Sequence, residues 1–337
     1  MGGPEIHSEN WNSLIMLVTV IIPTHKRPEA LLQALHSLQE QVFPVFEILV
    51  VDNADDPMIE RKINDFNRSA RIVARYIPEA KLGLQYARHK AIQVATGELL
   101  LYIDDDVTLD PRWITAYVKA FTDHPEMAAA GGPVRPFWGQ TPPPWLLDYI
   151  GQSSIFGILS LMEPYNSFQL DGKCYFFGCN MAIKKRILIE RGGFHPDSIG
   201  DIWIGDGETG LNRDMWAQGD LIGYVPEALV FHHIPPLRMT PAYFRRRWAN
   251  QGASDVYSKF HDGIPCSLNL FLRIMKRILF GMPIYVMAML LWDRTSRFAL
   301  NTQIKAAYFF SEINCMYKLM RDPDYRAMVL KKDWINK

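Results

Sequence analysis

Five apolar residues, Leu99 to Ile103, run directly into Asp104, Asp105 and Asp106. A continuous apolar run without alternation belongs to a strand covered on both faces. Three adjacent carboxylates repel one another, so such a strand end is tolerable where a cation can be held. The segment therefore calls for a two-sided sheet whose strand ends open into a crevice. Removing one of the crowded carboxylates is expected to relieve repulsion.

The preceding residues supply the rest of such a sheet. Leu17–Thr24 (LVTVIIPT) and Glu47–Asp52 (EILVVD) read as buried strands, and Arg75–Ile77 as a short third one. Pro28 suits a first helical turn, with Leu31, Leu35 and Leu38 on one face. Residues 58–68 are a weaker helix, Gly83–Thr96 a stronger one with Gly97 as its C-cap, and another helix follows Pro111. Alternating strands and helices predict an α/β fold of parallel strands with right-handed crossovers. Ligands then bind beyond the carboxyl ends of the strands, which places Asp52 and Asp104–Asp106 in one crevice.

The middle of the chain changes character. Pro133–Trp145, rich in proline and aromatics, reads as a loop, and Tyr175–Ile183 as a strand followed by a helix closed at Gly192 and Gly193. Gly205–Glu208 (GDGE) opens a helix over Thr209–Gln218, and Tyr224–Phe231 reads as a strand ending at His232 and His233. The four cysteines, Cys174, Cys179, Cys266 and Cys315, lack zinc-site spacing and read as small hydrophobes in a reducing compartment. No secretory signal is recognisable, and Ile6 argues against myristoylation at Gly2.

Several residue types carry chemistry. On an extended backbone Asp104 and Asp106 point one way and Asp105 the other. Hard oxygens of this kind suit Mg²⁺ or Mn²⁺, with substrate phosphates completing the shell. Asp52 can accept hydrogen bonds from a base or ribose, or simply form a turn with Asn53. Glu208, near a helix N-terminus, suits a general base, with Asp206 as its competitor and plain capping as the bland reading. His232 can ligate a metal, and Arg238 can bind a diphosphate.

Taken together and in order, seven segments resemble the family 2 glycosyltransferases of GT-A fold: VTVIIPTHKR from Val18, ILVVDN from Ile48, GLQYAR from Gly83, GELLLYIDDD from Gly97, FGCNMA from Phe177, GDGETGL from Gly205 and VFHHIPPLR from Val230. The resemblance spans roughly residues 17–250. It implies a GT-A-type nucleotide-binding sheet flanked by helices and an inverting transfer of a sugar from a nucleotide-sugar donor to an acceptor hydroxyl. Pro23, Thr24 and Arg27 would line the nucleotide pocket, with Asp52 at the base and Arg88 and Asp105 helping to hold the nucleotide. Asp104, also nucleotide-binding, and Asp106 would bind ribose and, with His232, the metal, and Glu208 would be the catalytic base. One departure is Gly207-Glu208 where the family often has Glu-Asp. A uridine donor is favoured. Pro142–Trp145 would form a lid or acceptor loop that excludes water, with Trp145 and Arg238 as diphosphate or acceptor residues.

The resulting organisation is an N-terminal extension (1–16), a catalytic domain (17–250, divided at 110 into nucleotide and acceptor halves) and a helical, basic C-terminal region (251–337). A sugar nucleotidyltransferase is the nearest alternative, but its glycine-rich phosphate loop is replaced here by Thr24-His25-Lys26-Arg27. A catalytically inactive nucleotide-sugar-binding protein is the other.

The formal net charge is zero, yet residues 238–337 hold 17 Lys/Arg against 7 Asp/Glu. Within them Ile278–Trp292 is an apolar stretch flanked by Arg273, Lys276, Arg277, Arg294 and Arg297, with Arg245–Arg247 nearby. At about 15 residues it is too short to span a bilayer, and Gly281-Met282-Pro283 is expected to interrupt its helix. It reads either as a buried helix or as a peripheral element at the cytoplasmic membrane face, serving a glycan or lipid-linked acceptor. No nucleic-acid partner is expected.

Overall fold

The computed structural model describes residues 16–151, 153–171, 174–292, 294 and 296–335. The expected N-terminal extension, with the readings made on Gly2 and Ile6, lies outside the described residues apart from Met16.

The first half alternates as its apolar patterning requires. It runs β1 (Val18–Thr24), α1 (Pro28–Gln39), β2 (Glu47–Asp52), α2 (Pro57–Asn67), β3 (Ala74–Pro78), α3 (Leu84–Val94), β4 (Leu99–Tyr102), β5 (Val107–Leu109) and α4 (Trp113–Asp123). There follow β6 (Ala129–Gly131), β7 (Val134–Trp138), α5 (Pro144–Ile150), β8 (Ile155–Phe156), β9 (Leu161–Met162), β10 (Gln169–Asp171), β11 (Met181–Lys184) and α6 (Lys185–Glu190). A small hairpin of β12 (Ser198–Ile199) and β13 (Ile202–Trp203) precedes α7 (Gly207–Ala217), β14 (Ile222–Tyr224) and β15 (Val230–Ile234). The chain closes with α8 (Pro241–Phe260), α9 (Ser267–Leu290), α10 (Arg297–Arg321) and α11 (Pro323–Leu330).

The main sheet has the order β10-β14-β6-β11-β4-β1-β2-β3. β1 pairs in parallel with both β2 and β4, so the chain leaves β1 towards one side for β2 and β3 and returns on the other for β4. That reversal is a switch point, where crossovers diverge and a crevice opens at the carboxyl ends. Successive side chains alternate between two cores. Val20, Ile22, Val50 and Leu101 pack under α1, α2 and α4, while Ile21, Leu49, Val51, Leu100 and Tyr102 pack under α3 and α7. Each fully buried aliphatic side chain contributes roughly 1.5–3 kcal/mol.

Four local expectations change. Gly97 does not cap α3, which ends at Val94; a Cβ there would sit 2.5 Å from the Thr19 backbone nitrogen, so Gly97 serves close approach to β1. Of the expected strand Tyr175–Ile183 only the last three residues are strand, as the start of β11, because Asn180 N–H turns back onto the Phe177 carbonyl at 2.9 Å. Tyr224–Phe231 splits into β14 and β15 around a turn closed by Ala228 N–H and Val225 O, 3.0 Å apart, and the turn passes the chain to a second sheet, β5-β15-β7-β9-β8. The expected loop Pro133–Trp145 supplies β7 to that sheet and the start of α5.

In the C-terminal part, α8 runs unbroken across residue 250, so the domain boundary expected there falls inside a helix. α10 packs against both α8 and α9. α9 passes through Pro283 without a break, contrary to the expected interruption. Cys174, Cys179 and Cys315 are buried thiols and Cys266 is exposed; none is paired.

Candidate active site

A cleft of about 450 Å³ opens at the switch point, bordered by Pro23 and Thr24 from β1, Asn53 after β2, Asp104 after β4, and Asp197 and Trp203 around the small hairpin. β4 ends at Tyr102, and the three aspartates follow in a turn. Asp105 diverges from the other two: it is fully buried, accepts from Thr24 Oγ1 at 2.7 Å and lies 2.5 Å from Arg27 Nη2. It holds the end of β4 to β1, where the resemblance implied a nucleotide contact. Burial pushes its carboxyl up to about 7, with Arg27 opposing.

Asp106 sits among basic side chains, 2.9 Å from Arg27 Nη1, 2.8 Å from Arg238 Nη2 and 3.5 Å from His232 Nε2. Burial would raise its pKa, but the guanidinium groups of Arg238 and Arg27 hold it well below the carboxylate range. His232 Nδ1 is 2.8 Å from the Leu159 carbonyl, which can only accept, so that nitrogen carries the proton. Its Nε2 lone pair then accepts from Arg238 Nη1 at 2.7 Å. Asp104 is part-exposed in the cleft, and burial and the neighbouring Asp106 raise its pKa.

Arg88, on α3, is buried beneath this turn. Its guanidinium lies 3.3 Å from Glu208 and 3.8 Å from Asp104, and the buried Asp197 adds a third carboxylate in its field. A Cβ on Gly178 would stand 2.2 Å from Arg88 Nη2, so glycine is what admits the guanidinium. Arg88 therefore orders carboxylates, where the sequence suggested a nucleotide contact. Glu208 lies in the first turn of α7, its side chain still 22% exposed.

Asp206 is different. It is fully buried and bound to Arg213 Nη2 at 3.1 Å, Ser258 Oγ at 3.0 Å and His195 Nδ1 at 3.3 Å. It fastens α7 to α8, which removes it as a competing base. Asp52 is also fully buried, accepting from the backbone N–H groups of Ala54 (3.0 Å) and Asp56 (2.7 Å) and from Tyr76 OH (3.1 Å). Its oxygens serve the turn after β2, so the bland turn reading describes it and the expected base contact is not formed by a free carboxylate. Trp145 lies in α5, edge-on to Phe244 at 5.3 Å within an apolar cluster; it is packing, not a lid.

Asp197, Asn53 and Trp203 were missed. Asp197 follows a glycine-proline-rich turn that reads as loop, and only the fold carries it to Arg88.

Among the described residues, no three His, Cys, Asp or Glu side chains form a ready-made metal cage, so the expected set with His232 as third ligand is not assembled. Asp106 Oδ1 is nevertheless buried without a hydrogen-bond partner, and Asp104 borders the cleft beside it. One or two carboxylates with substrate phosphates are what Mg²⁺ or Mn²⁺ takes, so the residues fit such an ion.

A switch-point cleft walled by carboxylates and arginines on this mixed sheet is the GT-A arrangement of glycosyltransferases. Residues 19–192, more than half of the chain, match the model of glycosyl transferase family 2, and the chain belongs to that family. It is 24% identical over 224 residues to a glucosyl-dolichyl phosphate glucuronosyltransferase of Haloferax volcanii, covering 65% of this chain and 70% of that one. It is 23% identical over 240 residues to the succinoglycan biosynthesis protein ExoM of Rhizobium meliloti, covering 70% and 72%. The fold is shared with the mannosyltransferase PcManGT of Pyrobaculum calidifontis, solved in complex with GDP-Man and Mn²⁺, at a TM-score of 0.52 and 19% identity over 94% of this chain and 84% of that one. The chain spans only 43% and 39% of two larger solved chains that it also resembles.

Proposed function

We propose that the protein transfers a sugar, with inversion, from a uridine diphosphate sugar to a hydroxyl of a glycan or lipid-linked acceptor at the cytoplasmic face of the membrane. The observation that carries this is the single buried guanidinium of Arg88, which holds Glu208 and Asp104 on its two sides. It sets a candidate base beside the carboxylate turn where a diphosphate would lie.

Glu208 accepts the acceptor's proton as the hydroxyl attacks the anomeric carbon from the face opposite the leaving group. Arg238 and Arg27, both already committed to Asp106, present cationic edges at the same turn and balance the charge that builds on the departing diphosphate. Asp104 and Asp106 would hold a divalent ion, which when bound supplies Lewis-acid stabilisation of that diphosphate. The H. volcanii relative, named for a dolichyl phosphate substrate, supports a lipid-linked acceptor. Uridine rests on family resemblance alone, since Asp52 is occupied.

Thermal shift with nucleotide sugars in the presence of Mn²⁺ tests the donor: the right one raises Tm by mass action. If free GDP or dTDP displaces it better than UDP, the uridine assignment is wrong. Retention of anomeric configuration in the product would overturn single displacement.

A further inference from the structure

The C-terminal helices carry a surface that the cleft does not use. α9 spans 24 residues, about 36 Å of helix, yet it buries only Leu270, Ile274, Gly281 and Ala288. These form one seam. Most of the rest of this apolar helix faces outward, with Leu279 72%, Phe280 64%, Met289 76% and Leu290 74% exposed. Isolated exposed apolar side chains are ordinary, but a contiguous run along seven turns is an interaction surface. Among the described residues no helix is long and apolar enough to cross a membrane.

We propose that this face of α9, with the following turn into α10, docks the protein onto an anionic lipid bilayer; the proposal rests on the membrane-face reading above and names its surface. Charge selects the occupant. α9 holds no acidic residue. Arg273 and Lys276 are exposed on it, and Arg294 and Arg297 are exposed just beyond. Arg277 is turned inward to Glu312 at 2.8 Å and takes no part. A second copy pairing through the same face would set these cations against their equivalents, since a two-fold contact is self-complementary. Anionic headgroups meet them favourably while the apolar side chains enter the acyl boundary. Trp292 ends the apolar stretch, as aromatic residues do at a lipid–water boundary.

The same region opens an apolar groove of about 420 Å³ between α8, α9 and α10, lined by Tyr285, Met289, Trp292 and Phe310. Arg245 and Arg246 border it, Arg245 stacking over Trp292 at 4.1 Å. A lipid chain fits such walls, with its phosphate at the arginines. Arg245 lies in the first turns of α8, seven residues beyond Arg238.

The test is co-sedimentation of the full chain with phosphatidylcholine vesicles, with and without phosphatidylglycerol. Wild type should pellet with the anionic vesicles at low salt and be released at high salt. A variant combining Leu279→Glu, Met289→Glu and Leu290→Glu changes only exposed positions and should stay in the supernatant with unchanged Tm. The pair Arg273→Glu and Lys276→Glu should erase the preference for anionic vesicles. Equal supernatant recovery of wild type from both vesicle types at low salt would overturn the proposal. So would self-association that Leu279→Glu abolishes in a protein that never pellets. Vesicle binding needs no sugar transfer, so loss of the catalytic reading and loss of this one are separately visible.

Discussion

Arg88 and Glu208 are 120 residues apart in sequence and 3.3 Å apart in space. The contact fixes the carboxylate's orientation while part of it remains open to solvent. Glu208→Gln keeps the shape and removes the proton acceptor, so turnover should fall about 10²–10⁴-fold with donor affinity nearly kept. Steady-state kinetics alongside donor titration read the two effects apart; unchanged turnover would remove Glu208 as the base.

Asp206→Ala should behave differently. It strands Arg213 and His195 beside an unfilled buried site, a loss on the order of 3–5 kcal/mol. Denaturant unfolding should show that loss, with turnover of the remaining folded enzyme falling far less than in Glu208→Gln.

The carboxylate turn divides likewise. Asp106 neutralises Arg27 and Arg238, so the expectation that its removal relieves repulsion does not hold for this member. Asp106→Ala should lower both Tm and activity. Asp104→Asn should leave Tm near wild type and abolish the response to Mn²⁺, and excess chelator should silence the wild type. A fully active enzyme in chelator would refute the metal role.

Stability should also depend on pH. Burial lowers the pKa of His195, but hydrogen bonds with Asp206 and Asp214 outweigh it and leave it raised; Tyr257 and His261 complete its surroundings. A group with a raised folded pKa contributes fully below its unfolded value, near 6.5, and loses that contribution as pH rises through the folded one. Tm should therefore fall on the alkaline side, and His195→Gln should flatten that limb. His89 acts oppositely: burial lowers it to about 4 so that Nε2 can accept from Phe194 N–H, and its contribution fades as pH falls from 6.5 towards that value.

Much of this was legible in the residues. β1, β2 and β4 announce themselves through continuous apolar runs, and the carboxylates at their ends locate the crevice. What was not legible is which carboxylates are spent on structure. Asp52 and Asp105 look like ligands in sequence, and only packing reveals that Tyr76 and Thr24 consume them. Asp197 and Gly178 reach Arg88 through tertiary folding that no local pattern encodes. Gly97 looked like a helix cap because backbone need and close packing both select glycine. For α9, an internal proline suggested a break that the continuous helix does not show.

α8 begins three residues after Arg238 and runs for 20 residues, about 30 Å, into the C-terminal cluster. Asp206 pins it to α7, whose first turn holds Glu208. Arg238 and Glu208, the proposed diphosphate contact and base, are thus joined to the outer helices through α8. On the proposed roles, a displacement of α8 would reach Arg238 and the first turn of α7 together.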